Sequence, residues 1–197
     1  MKSASVFHRV SALGVAVLLI AVAAPDDAYA QTFPGFGGME LRLGAANLDD
    51  VEGGLSYALD LDIGYLFTPP LRSYLRFEGF RGEFDTDVIA GGGDLNGSGI
   101  ETGLRYDLLA TSRISPYGVV GVNFSNIKAR GVIDQSAQDL PDGMHTSFGY
   151  GIGAAVHFGE HFSLAADVRQ LTGGRAVERT LWAIGFRFSP KGNIYKR

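Results

Sequence analysis

The sequence predicts an all-β protein: a closed, antiparallel, eight-stranded transmembrane β-barrel with up-and-down connections. Three observations point there. Apolar and small residues alternate at period two in eight separate segments after Gln31. Within those segments every charge shares a face with the glycines and alanines, and the aromatic face carries none. The connections between segments alternate long and short. Glycine, at 28 of 197 positions, is roughly twice as frequent as the usual 7% or so, and that excess needs a place in the fold.

The first thirty residues read as a secretory signal that is cleaved. Lys2 and Arg9 precede a short apolar core, Leu13 to Ala24, and Pro25 ends it. Ala28-Tyr29-Ala30 then supplies the small-x-small pattern before Gln31. No later run approaches the ~18 apolar residues of a membrane-crossing helix, so a helical membrane protein is excluded. A formal net charge of −4 excludes a basic field for nucleic acid. Cysteine is absent throughout, which removes disulfides, thiolate metal sites and a lipidated N-terminal cysteine.

Each segment reads as a strand because residues two apart share a face. In the first, Leu41, Leu43 and Ala45 oppose Glu40, Arg42 and Gly44. The second is the longest: Leu55, Tyr57, Leu59, Leu61, Ile63, Tyr65 and Phe67 oppose Ser56, Ala58, Asp60, Asp62, Gly64 and Leu66. In the third, Leu75 and Phe77 oppose Tyr74, Arg76 and Glu78. The fourth sets Ile100, Thr102, Leu104, Tyr106 and Leu108 against Glu101, Gly103, Arg105 and Asp107. Val120, Val122 and Phe124 oppose Gly121, Asn123 and Ser125 in the fifth. Phe148 to Phe158, Phe162 to Arg169 and Leu181 to Phe188 complete the eight, the sixth placing Gly149, Gly151, Gly153, Ala155 and His157 on one face.

A soluble barrel would turn the bulky face inward, where eight strands of large side chains overfill a small closed barrel. It would also give water a face rich in glycine and alanine. Turning the aromatic face to lipid removes both conflicts, and a closed barrel satisfies every backbone hydrogen bond of a sheet in hydrocarbon.

Connections are expected at Asn47–Gly54, Thr68–Pro70, Asp85–Asn96, Leu109–Arg113, Ala129–Gly143, Gly159–Glu160 and Leu171–Glu178. Short periplasmic turns and longer outside loops then put both termini in the periplasm and four loops outside. The barrel domain is read as 31–188, followed by a nine-residue tail, 189–197.

Segments such as Ser115-Pro116-Tyr117-Gly118-Val119-Val120-Gly121-Val122 and Phe148-Gly149-Tyr150-Gly151-Ile152-Gly153 resemble the small eight-stranded outer-membrane barrels of the OmpA/OmpX and opacity type. The turn Gly159-Glu160-His161-Phe162 and the closing Ala183-Ile184-Gly185-Phe186-Arg187-Phe188 do so as well. The resemblance covers the mature chain as a pattern. It implies an outer-membrane location and no separate peptidoglycan-binding domain. It further implies contact with outer-membrane lipid and lipopolysaccharide, insertion by the barrel-assembly machinery, and a surface ligand, if any, on the external loops. Such barrels usually end on an aromatic residue, whereas here SPKGNIYKR follows Phe188.

The inward set holds seven acids, Glu40, Asp60, Asp62, Glu78, Glu101, Asp107 and Asp167, and five arginines, Arg42, Arg76, Arg105, Arg169 and Arg187. Lysine is absent from it. Arginine suits planar, bidentate pairing in a dry interior. An eight-stranded barrel is just wide enough for side chains, so these twelve residues are expected to form a salt-bridged, non-conducting filling.

Catalytic chemistry is the alternative. Barrels of this kind include lipid A deacylases, which the resemblance associates with a His-x-Ser pair and a nearby Glu. Two such pairs occur, His145-Thr146-Ser147 and His161-Phe162-Ser163, and in a strand a histidine can deprotonate a serine two residues on. The second pair lacks the family's following Asn-Ala, having Leu164-Ala165, and sits at the periplasmic rim, with Glu178 across the membrane height. The expectation is therefore a structural or surface-interaction barrel with no catalytic residues, no cofactor and no metal. The acids Asp49, Asp50, Asp134, Asp139 and Asp142 read as solvated loop charge. A narrow lateral pathway for small hydrophobic molecules is a further alternative.

Overall fold

Eight antiparallel strands follow one another in chain order and close on themselves, the first pairing with the last. They are β1 (Gly38–Leu48), β2 (Val51–Tyr65), β3 (Leu71–Phe84), β4 (Gly93–Asp107), β5 (Ile114–Gly131), β6 (Gly143–Phe158), β7 (Phe162–Thr172) and β8 (Arg179–Phe188). The computed structural model describes residues 37–48, 51–66, 70–84, 93–131, 143–173 and 178–190. Residues 1–30, read above as a signal, and the tail beyond Pro190 lie outside those residues, as do Asp49, Asp50, Asp134, Asp139 and Asp142.

The pairing register sets the shape of the barrel. One row of outward side chains runs Ile114–Val156–Leu164–Phe186–Leu41–Leu59–Phe77–Ile100–Phe124, each directly opposite the next. It leaves β5 at Ile114 and returns at Phe124, a stagger of ten residues. With a rise of about 3.3 Å per residue and strands about 4.8 Å apart, that stagger tilts the strands by roughly 40°. Every side chain in the row is apolar, and alternation at period two holds all of them on the outer face once register is set.

The two faces sort as the alternation predicts. Leu41, Leu43, Tyr57, Ile152, Trp182 and Ile184 stand exposed on the outer wall, while Glu40, Arg42, Asp60, Glu101, Asp107 and Arg169 are buried inside. An outer wall of exposed leucine, isoleucine and phenylalanine is unfavourable in water and favourable in hydrocarbon. The glycines of the inner face allow close contact. A Cβ at Gly44 would lie 1.8 Å from the Trp182 carbonyl oxygen, and one at Gly153 would lie 2.6 Å from the Tyr117 ring.

The strands outrun their apolar segments, and this corrects several expected loops. β1 reaches Leu48 and β2 begins at Val51, so the connection expected over Asn47–Gly54 shrinks to residues 49–50. It is the shortest of the seven, so the long–short alternation fails at its first member. β4 likewise begins at Gly93, inside the expected loop Asp85–Asn96, and β5 continues to Gly131. The backbone ladder does not need apolar side chains. Pairing continues past the last apolar row through Arg81↔Asn96↔Lys128. Arg81, Glu83 and Lys128 therefore face outward beyond that row, an exception to the expectation that strand charges all point inward. β2 stops at Tyr65, and Phe67 lies outside the described residues.

Candidate functional site

The interior is the part of the molecule where chemistry-bearing side chains converge. All twelve residues named from the alternation are buried inside the barrel. Arg42 on β1 is the hub. Its guanidinium lies 2.7 Å from Glu40 and 2.8 Å from Asp60, and it donates to Asp167 on β7, past the neighbouring β8. Asp60 also holds Arg76 in a two-point pair at 2.6 and 2.7 Å. Asp167 lies 3.4 Å from Arg169, which reaches Glu101 at 2.8 Å.

Toward the turn end the pairs continue without a break. Arg105 bridges Glu40 at 3.6 Å and Asp107 at 2.9 Å. Arg72 donates to Asp107 and lies 3.2 Å from Asp62, which also accepts from Arg187. Six acids and six arginines thus form one connected network anchored on β1, β2, β3, β4, β7 and β8. Tyrosine hydroxyls extend it: Tyr117 donates to Asp167 at 3.0 Å, Tyr74 donates to Glu101, and Arg105 stacks 3.6 Å above the Tyr117 ring.

The remaining acid stands apart. Glu78 pairs with Arg179 near the loop end and accepts from Asn123 at 3.0 Å. Apolar side chains surround this upper level: Phe80, Leu95, Ile127, Leu171 and Leu181 are all buried and face inward.

Two arginines, Arg72 and Arg179, are absent from the sequence-derived set, and they remove its imbalance. Seven acids against five arginines leave two negative charges unmatched in a dry interior, at a cost of several kcal/mol per ion. With Arg72 and Arg179 the buried count among the described residues is seven against seven. Both were legible, since Arg72 shares parity with Tyr74 and Arg76, and Arg179 with Leu181 and Arg187. They escaped because each lies beyond the apolar run that marked its strand.

β5 and β6 place no acid and no arginine in the network. Their inner wall is Tyr117, Val119, Gly121, Gly149, Gly151, Gly153 and Ala155, against which the long side chains of other strands lie. A Cβ at Gly151 would come within 2.7 Å of Arg169 Cγ, and one at Gly149 within 2.8 Å of Leu171. Two interior cavities, one between Arg42, Glu78 and Asp167 and one between Glu40, Asp62 and Arg105, measure about 20 Å³ each. That is room for about one water molecule.

The His-x-Ser candidates do not assemble as pairs. His161 Nδ1 lies 2.9 Å from the Ser189 carbonyl, and the histidine bonded to Ser163 is His157, at 3.0 Å across β6 and β7. His157 and Ser163 are both buried on the inner face, turned away from lipid. His145 and Ser147 share the inner face near the loop end, where the structure records no bond between them.

Three solved structures share this architecture. The attachment invasion locus protein Ail of Yersinia pestis is 16% identical, with 79% of this chain and 100% of that one covered and a TM-score of 0.50. OprG of Pseudomonas aeruginosa is 14% identical over 79% and 98%, with a TM-score of 0.51. The outer-membrane enzyme PagL is 16% identical over 77% and 99%, with a TM-score of 0.50. At these identities the likeness is one of fold. A comparison with curated protein sequences gave no match. Residues 14–189 match the family described as the outer membrane protein beta-barrel domain, and this closed eight-stranded barrel with a lipid-facing outer wall belongs to it.

Proposed function

We propose that the protein is a structural or surface-interaction barrel of the outer membrane whose filled interior does not conduct. One observation carries this reading: a continuous network of six acids and six arginines crosses the lumen between the two ends, with cavities of only about 20 Å³ beside it. Conduction would require several buried ion pairs to part together, each costing about 3–5 kcal/mol when one partner is left alone. On this reading the first thirty residues are removed on export, the turn end with both ends of the barrel chain faces the periplasm, and four connections face outward. Interaction then belongs to the outward end, since sites in such folds sit on loops.

Purified protein in planar bilayers tests the proposal. The expected outcome is a baseline without long-lived current steps. Large, stable open-state steps would overturn it. Lipid A mass spectra from cells with and without the protein separate it from the deacylase-like alternative, an unchanged profile being the result expected here.

A further inference from the structure

Arg179 differs from the other interior arginines in what its donors meet. Arg42 is held by three carboxylates, and Arg72, Arg105 and Arg169 by two each. Arg76 grips Asp60 at two points, and Arg187 donates to Asp62 and Ser189. Arg179, only 1% exposed, pairs with Glu78 through Nη2 alone, and its Nε and Nη1 are buried without a partner. The Phe80 ring, 4.6 Å away, supplies a face to the cation but no acceptor for those N–H groups.

Register sets further polar side chains beside it. Arg179 Nη2 lies 3.5 Å from Asn123 Oδ1, Asn123 sits directly opposite Ser147, and the neighbouring inward pair is Ser125 and His145. Ser125 Oγ, Ser147 Oγ and His145 Nε2 are likewise buried without a partner. One guanidinium edge on β8, linked through Asn123 to two hydroxyls and an imidazole at neighbouring inward positions of β5 and β6, is thus left without acceptors toward the loop end, with Glu78 Oε2 a further unpartnered atom of the pair. Buried polar groups left unpaired are costly, more so when charged. A donor excess around an arginine is what recognises a planar or tetrahedral oxyanion.

We propose that this cluster is a binding site for a small soluble oxyanion of the sulfate, phosphate or carboxylate type, approached from the loop end. The twelve-charge network closes the other route, and half-buried His145 marks the outermost member of the cluster. The site goes beyond the surface-barrel reading and does not depend on which way the barrel faces, so the two can fail separately.

The test titrates the folded, detergent-solubilised protein with sodium sulfate at constant ionic strength, by calorimetry. Wild type is expected to bind saturably. The Ser125→Ala/Ser147→Ala double variant, which keeps the Glu78–Arg179 pair, should bind at least about ten-fold more weakly, as should Arg179→Lys. Unchanged mobility of the unheated double variant on gels shows that it folds. Absence of saturable binding, or equal affinity in wild type and the double variant, would mean that solvent alone meets these donors and would overturn the proposal. Lipopolysaccharide at matched phosphate concentration should leave sulfate binding unchanged, and competition by it would overturn the placement inside the mouth.

Discussion

Glu101 shows what a single residue does in this interior. Its Oε1 accepts from Arg169 and from the Tyr74 hydroxyl, and the side chain is almost wholly buried. Replacing it with glutamine removes the closest charge that Arg169 pairs with, leaving the 3.4 Å contact to Asp167 as its one remaining carboxylate beside the Tyr74 hydroxyl at 3.2 Å. Glu101→Gln should destabilise the folded barrel by about 3–5 kcal/mol, the usual effect of orphaning one member of a buried pair. Adding Arg169→Gln should recover part of that loss, because the uncompensated charge is then gone. Urea unfolding of the single and double variants in micelles checks both, and strictly additive losses would count against the coupling. Gly151 makes the opposite point by having no side chain. A Cβ there would lie 2.4 Å from the Val168 carbonyl oxygen and 2.7 Å from Arg169 Cγ. Gly151→Val should cost about 1–3 kcal/mol or more through overpacking, read as a lower unfolding temperature of the compact gel form.

Among the strands, β6 is the one with no charged residue at all. It contributes Gly149, Gly151, Gly153 and Ala155 to the inner wall and is held by its ladders to β5 and β7. β1, by contrast, adds Glu40 and Arg42 to its two ladders. Central amides of β6 should therefore exchange with deuterium before those of β1, since local opening of β6 breaks no buried ion pair. Equal protection of the two strands would count against side-chain anchoring as the source of rigidity. The same strand shows why alternation is read easily inside the bilayer and poorly beyond it. Phe148 to Phe158 alternates cleanly with small residues, yet β6 begins at Gly143, where Met144 and Thr146 share the outer face with no apolar run to mark it.

For the molecule as a whole, stability rests on closure and on a solvent that favours its outer wall. The register row from Ile114 round to Phe124 leaves no unpaired edge, which hydrocarbon would penalise by several kcal/mol per exposed backbone group. Cell fractionation should place the protein with outer membranes, and unheated samples should migrate differently on gels from boiled ones. Recovery in the soluble periplasmic fraction with no such shift would count against the bilayer as its solvent. The N-terminal residue of the recovered chain also tests cleavage before Gln31.

Eight strands, the sorting of their faces and the identity of twelve interior charges were all legible in the chain, because a strand in a closed barrel has one face in lipid and one in the lumen, and period two reports that division directly. Strand ends were not, because a backbone ladder continues wherever donors and acceptors meet, whatever the side chains are. The pairing of the charges was not legible either. Arg42 meets Asp167 and Arg179 meets Glu78 across sequence separations of more than a hundred residues. Only the ten-residue stagger of the closed sheet determines which arginine stands within reach of which carboxylate. The local register of the β6–β7 hairpin brings His157, not His161, to Ser163, while closure sets Arg179 of β8 beside Asn123 of β5.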